Sequence, residues 1–362
     1  MTDTGAPDLL YTDTEEELRS AVRSLLADRG GPAAVIARLE APRPYDDGLW
    51  QTLAAGIGAT GLLVPEKFGG QGAGHREAAV VLEELGRAVT PSPYLTSAVV
   101  ATEMLLACAP GSLRALDLVA RLATGREVCV AALPLTLGPG GTPPTTGTVR
   151  AVADAVAADT FLVHSVTGLH AMPAEDVTLS PRVPLDPTRP LAEVTPREGA
   201  GIRIADPDTA RAAVERGLLA GAGLLASEQL GLAEWCLTET VAYLRTRHQF
   251  NRPLGSFQAL KHRLAALWLE TASARAAARA AADALDSDAP DAPLLVSVAQ
   301  AYCSAVAVRA AEECVQLHGG IGMTWEHPAH VYLKRAKANA SAFGSAAHHR
   351  ARLAGLTRLP PP

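Results

Sequence analysis

The sequence predicts an α+β, multi-domain protein in three parts. These are a helical N-terminal domain (residues 1–124), a small, shortened antiparallel β domain (125–205) and a C-terminal four-helix bundle (206–362). Three observations carry this. Apolar residues recur at helical spacing through the first and last parts. Between them lie short β-branched stretches separated by Pro, Gly and Asp. Alanine is abundant while aromatics make up only 4%, a composition that lets helices approach closely.

The first part opens on "TEEELRSAVRSLLADRG", where Thr14 followed by acids reads as a helix start. "DDGLWQTLAAGIGATG" and "HREAAVVLEELGRAV" repeat the amphipathic spacing. Between them "LLVPEKFGGQGAG" is a plain glycine-rich loop, because it lacks the Lys-Ser/Thr and the preceding strand of a phosphate-binding loop. In the middle part "VCVAALPL", "TVRAVADAV", "TFLVHSV", "GLHAMPAEDVTLSP" and "AEVTPRE" read as strands, and "LGPGGTPPTTG" (137–147) as a flexible connection. The last part holds one very long helical segment, or two with a joint, up to "RTR". After a Pro-Leu-Gly break, "SFQALKHRLAALWLETASARAAARAAADAL" and "APLLVSVAQAYCSAVAVRAAEECVQLHG" continue as long helices.

The bulk numbers exclude several classes. With 362 residues, 48% hydrophobic and 19% charged, the chain can bury a sizeable core. A net charge of −6 argues against nucleic-acid binding, so the basic run "RTRHQFNR" needs a local purpose. The five cysteines show no paired spacing and are expected to be reduced core residues of a cytoplasmic protein. The first twenty residues lack a basic stretch followed by an apolar one, so no signal peptide is expected. Apolar runs are interrupted by small or charged residues, so no membrane span is expected either.

Three strings, in this order, resemble the acyl-CoA dehydrogenase family over nearly the whole chain. They are "LWQTLAAGIGATGLLVPEKFGGQGAGHREAAVVLEELGRAVTPSPY", "RTRHQFNRPLGSFQ" and "QLHGGIGMTWEHPAHVYLKRAK". In that family the joint between bundle helices reaches across a subunit interface to the FAD of a neighbouring chain. By this resemblance Arg247 pairs with the FAD pyrophosphate, where a guanidinium fork matches phosphate oxygens. Gln249 donates nearby and Phe250 packs at the adenine end, while Gln316 and the backbone at Gly319 and Gly320 hold the ADP half. Arg245, His248 and Arg252 carry no role from the resemblance and read as a solvated face. Asn251 replaces the family's usual glycine and tolerates the same left-handed backbone.

The resemblance also implies a carboxylate base for α-proton removal, and this chain departs from it there. The usual base position, in the loop after the last motif, is occupied by Phe343. The second position used in the family, early in the first long bundle helix, is Gly221, with Ala222 where an arginine follows. Glu228 and Glu239 lie further along that helix and read as solvent-facing or interface charges. His348 and His349 read as a surface pair. In the β domain the family's flavin-holding strings are replaced by "ALPLTLGPGGT", and no tryptophan occurs between Trp50 and Trp235.

The chain thus keeps residues that serve a neighbour's FAD and lacks those for its own chemistry. That pattern resembles the heteromeric (α2β2) acyl-CoA dehydrogenases of actinobacteria, including those acting on steroid side chains. The implied protein is a non-catalytic subunit that completes the FAD site of a homologous catalytic partner, with an acyl-CoA in the partner's site. Two alternatives stay open: a homo-oligomeric flavoenzyme with an unusual base such as histidine, and a flavin-free scaffold.

Overall fold

The computed structural model describes residues 9–358 except 30, 40 and 42. Residues 1–8, the start of the stretch read for a signal sequence, lie outside the described residues. The N-terminal part comprises α1 (Asp13–Arg29), α2 (Pro32–Arg38), α3 (Asp47–Gln51), α4 (His75–Arg87), α5 (Thr102–Cys108) and α6 (Leu113–Ala123). The start of α1 is shifted from the expected Thr14. Thr12 is the cap: its hydroxyl accepts from Glu15 N–H at 3.3 Å, and its own N–H donates to the Glu15 carboxylate at 2.6 Å. Tyr94–Ala101 is wound as a wider π-helix leading into α5.

The middle part is two small sheets. β1 (Cys129–Ala131), β3 (Thr160–Ser165), β4 (Gly168–Pro173) and β7 (Ile202–Ala205) form one, in that order. β2 (Val149–Ala153), β6 (Leu191–Pro196) and β5 (Val177–Arg182) form the other. All pairs are antiparallel except β1 with β3, which run parallel because the chain leaves the sheet between them to reach the bundle. Strand alternation splits the burial: Phe161 enters the core between the sheets, and its neighbour Leu162 joins the helical core. β7 has no counterpart among the strands expected from sequence.

That excursion, residues 137–147, is not the free connection expected. Gly140 N–H donates to Glu215 at 2.6 Å, and His348 reaches the Pro139 carbonyl at 3.0 Å. Gly138 lies so close to the Phe343 carbonyl and Gly344 that a β-carbon would stand 2.8 and 3.0 Å from them. The glycines here permit contact with the bundle rather than motion.

The C-terminal part opens with α7 (Pro207–Thr246), a single unbroken helix of 40 residues. A two-stranded ribbon, β8 (His248–Gln249) and β9 (Arg252–Pro253), then leads to α8 (Gln258–Asp286) and α9 (Ala292–His318). The shorter α10 (Ala329–Asn339) and α11 (Ala346–Leu356) close the bundle against α9. The N-terminal helices dock directly on it. Where α4 crosses α7, a β-carbon at Gly86 would stand 2.1 Å from the Glu228 carbonyl, and one at Gly231 would stand 1.9 Å from the Glu83 carbonyl. Only glycine at both positions permits that crossing. The core is continuous from α1 to α10 and the Phe343 loop, with Tyr94 and Tyr332 among its largest fully buried side chains.

Two helical stretches, Tyr94–Gly111 and Ala292–Met323, are long and apolar enough to cross a membrane. Both are mostly buried inside the fold, which accounts for their composition. The five cysteines are free and buried.

Candidate functional site

Phe343 and Gly221, far apart in sequence, meet in space. A β-carbon on Gly221 would lie 2.8 Å from Phe343 Cε1 and 2.8 Å from Val100 Cγ2, so the ring fills the space that glycine leaves on α7. Phe343 is 5% exposed and sits at φ +51°, a left-handed conformation that costs a bulky residue about 1–2 kcal/mol. Two hydrogen bonds hold it there: its N–H donates 2.7 Å to Leu135, and its carbonyl accepts 2.9 Å from His349. The remaining cavity is about 20 Å³, lined by Thr96, Val100, Leu133, Leu135, Leu218 and Phe343 among others. It holds about one water molecule, and no carboxylate lines it.

The histidines near this loop are not the surface pair expected. A carbonyl only accepts, so the Nε2 of His349 carries the proton it gives Phe343, and the Nε2 of His348 likewise donates to Pro139. His349 is fully buried, and burial pushes its pKa down from 6.5 to about 4. It is a neutral brace under the Phe343 loop.

Glu228 is not solvent-facing either. It is buried on α7 with its carboxylate 2.6 Å from Arg189, 2.9 Å from Arg335 and 2.9 Å from the Asn339 amide. Burial alone would raise its pKa, but the two guanidiniums and the amide outweigh it and hold the group at about 2. Arg335 continues to Asp186 at 2.5 Å, and Arg189 donates 2.6 Å to Asn339. Asp186 and Arg189 belong to the β5–β6 connection, whereas Arg335 and Asn339 sit on α10. The network ties the β domain to the bundle with every charge paired, a structural arrangement with no free base.

The phosphate-type residues expected from sequence gather elsewhere, at the shared outer end of α7 and α9. Tyr243 near the end of α7 stacks on His318 at the end of α9, ring centroids 4.4 Å apart. Arg247 caps α7 with an extended backbone; its side chain is exposed and has no hydrogen bond or ion pair among the described residues. The Phe250–Asn251 turn has φ +53° and +57°, the paired left-handed geometry of a two-residue hairpin loop. Asparagine accepts that conformation readily, as expected for Asn251; Phe250 does not, and it is nevertheless 84% exposed. Gln249 in β8 is exposed. Gln316 is exposed two residues before α9 ends, and Gly319 (φ +64°) and Gly320 follow with open space around their α-carbons.

Of the other cations, Arg245 is exposed, and His248 Nδ1 donates 2.9 Å to the Thr246 carbonyl. Arg252 is not merely solvated: its guanidinium lies 3.8 Å over the Phe257 ring, which Phe250 meets edge-on at 6.0 Å. Sequence reasoning missed Met323 and Trp325, which stand 77% and 71% exposed just beyond Gly319–Gly320. Their signal was present as apolar residues in a turn. Glu239, half-buried on α7, faces His318 and His327.

The profile "Acyl-CoA dehydrogenase, N-terminal domain" matches residues 12–124, and "Acyl-CoA dehydrogenase, C-terminal domain" matches residues 211–355. The Mycobacterium tuberculosis protein described as acyl-CoA dehydrogenase IpdE2 is 38% identical over 91% of this chain and 92% of its own length. Among solved structures, the ChsE4-ChsE5 complex from Mycobacterium tuberculosis contains a chain with a TM-score of 0.85 and 26% identity, covering 98% of this chain and 100% of that one. A chain of the Tcur3481-Tcur3483 steroid ACAD matches with a TM-score of 0.84 and 27% identity, covering 96% and 98%.

Proposed function

The chain belongs to the acyl-CoA dehydrogenase family, oxidoreductases acting on acyl-CoA, and we propose that it is the subunit without a base in a heteromeric enzyme of that family. In this reading it completes the FAD site of a homologous catalytic partner in an α2β2 assembly. The observation that carries it is the Phe343 ring seated against Gly221. Both positions where the family keeps a carboxylate are apolar and in mutual contact, with about 20 Å³ left between their neighbours. A flavin ring with an acyl thioester does not fit a space of that size. A histidine base is opposed by the complete burial of His349, which disfavours the imidazolium that a base must become.

The outer end of α7 and α9 is the counterpart. When bound there, FAD supplies the hydride acceptor of the partner's reaction. Arg247 and Gln249 would hold its phosphate region, Phe250 would cover its adenine end, and Gln316 with the Gly319–Gly320 backbone would receive the ADP half. Support comes from their exposure, and from the side chains of Arg247, Gln249 and Gln316 having no hydrogen bond or ion pair among the described residues. A charge-assisted phosphate contact is worth about 1.5–3 kcal/mol, which a guanidinium already paired within its own chain would not supply. Met323 and Trp325 provide apolar area beside them for a protein partner. A bulky acyl-CoA such as a steroid side-chain thioester is the substrate class we assign to the partner's site, supported by likeness to the Tcur3481-Tcur3483 steroid ACAD.

The test is expression of the chain alone and with a candidate homologous partner. Alone it is expected to be colourless and inactive on acyl-CoA thioesters with an artificial acceptor; together, yellow and active. Phe343→Glu should leave the isolated chain inactive, because a positioned base is worth about 10²–10⁴-fold only where a hydride acceptor also fits. Stoichiometric FAD with turnover in the isolated chain would overturn the reading.

A further inference from the structure

Glu239 on α7, His318 at the end of α9 and His327 in the turn before α10 bring one ligand atom each to within 4.8 Å of the others. His318 is the anchor. It is 3% exposed, and its Nδ1 donates 2.7 Å to the Cys314 carbonyl one turn back. That bond fixes the tautomer and leaves the Nε2 lone pair free, buried and with no hydrogen-bond partner among the described residues. A histidine with Nδ1–H on a backbone carbonyl and a free Nε2 is held as metal-ligating histidines are held. Tyr243 and His327 flank its ring at 4.4 and 4.2 Å, so the imidazole cannot swing to another partner without unstacking. His327 is less committed: its Nδ1 accepts only a 3.2 Å bond from Ala329 N–H, which a cation can replace.

We propose that Glu239, His318 and His327 form a site for a divalent zinc-class ion that fastens the ends of α7 and α9 to the turn before α10. Two imidazoles and one carboxylate suit a borderline ion such as Zn²⁺ rather than Mg²⁺ or Ca²⁺, which require several oxygen ligands. Glu239 and His327 are half-buried, so solvent reaches the site and supplies the fourth position. The site does not depend on the role of the chain within an enzyme.

The experiment uses the full, untagged chain, stripped with a chelator and titrated with Zn²⁺ against a chromophoric competitor. The expected result is one tight Zn²⁺ per chain, no competition from excess Mg²⁺, and a higher melting temperature with zinc. Glu239→Gln and His327→Gln, both at half-buried positions, should each weaken that site by more than the roughly 10–100-fold that loss of an outer hydrogen bond costs. His318→Gln should do the same, read beside its circular dichroism spectrum. The chain has 10 histidines, so the reading is the difference between wild type and variants. Zinc binding that is weak and equal in all of them would overturn the proposal. So would binding lost in Cys314→Ser but kept in Glu239→Gln, which would assign the ion to the neighbouring thiols.

Discussion

The interior beneath Phe343 and the outer end of α7 and α9 lie in one bundle yet treat polar groups in opposite ways. Inside, Phe343 meets Gly221 in an apolar contact, and the buried charges of Glu228, Arg189, Arg335 and Asp186 are paired with one another. Outside, Arg247 is left without a partner in the described chain, and Phe250 is held exposed in a backbone that disfavours it. The buried charges are satisfied within the chain, whereas the Arg247 guanidinium is open to solvent. Variants should separate: interior ones move the stability of the isolated chain, exterior ones mainly what it binds.

The largest effects are expected inside. Glu228→Ala should cost about 3–5 kcal/mol, since it removes the carboxylate that two buried guanidiniums share, and denaturant unfolding of the isolated chain measures it. Phe343→Ala should cost a similar 3–5 kcal/mol by emptying the space at Gly221. Gly221→Ala alone should destabilise, because overpacking at about 1–3 kcal/mol exceeds the roughly 1 kcal/mol of helix propensity gained. In the Phe343→Ala background the same change should be neutral or stabilising, and additivity of the two would break the claim that they share one space.

Next comes Arg247→Ala. It should weaken FAD retention in the complex by about tenfold to a hundredfold, following about 1.5–3 kcal/mol per charge-assisted contact, with the melting temperature of the isolated chain unchanged. Arg252→Ala should lose less FAD, because its guanidinium is engaged with Phe257. Equal losses would merge the two cations into one site.

The pH response sharpens the interior side. His349 has a folded pKa of about 4, below the ordinary 6.5, so the unfolded chain binds its proton first. Its contribution is complete above pH 6.5 and is lost as pH falls toward 4. Glu228, lowered from 4.5 to about 2, follows in the next window and loses its contribution as pH falls from 4.5 toward 2. Melting temperature should decline through both, and His349→Gln should flatten the upper window only. The smallest effect is Phe250→Gly. It should relieve about 1 kcal/mol of left-handed strain in the isolated chain while reducing FAD retention in the complex.

Much of this contrast was readable in residues close together along the chain. The three-part layout followed from helical and strand periodicity, and the turn at Phe250–Asn251 follows from what asparagine tolerates. The exposed set from Arg247 to Phe250, with Gln316, Gly319 and Gly320, sits at helix ends, where local chemistry decides the backbone. Charge alone misled for Glu228, whose partners Arg189 and Arg335 are 39 and 107 residues away. The histidine pair misled for the same reason: the carbonyl of Pro139, which holds His348, is 209 residues distant. Even the cap of α1 was misplaced by two residues, because Thr12 and Thr14 both precede acids and only Glu15 pairing back to Thr12 separates them.

The sequence by itself determined that a small β region lies between two helical regions, that positions 221 and 343 carry no carboxylate, and that cations cluster at the joint after α7. These depend on side-chain chemistry and on periodicities of a few residues. Tertiary structure alone decided that Phe343 fills the place beside Gly221, that β1 pairs parallel to β3, and that Glu228 is buried while Arg247 is free. Whether a charge or a ring faces solvent depends on which distant backbone lies above it. That is fixed only when glycines such as Gly86 and Gly231 let two helices close to contact.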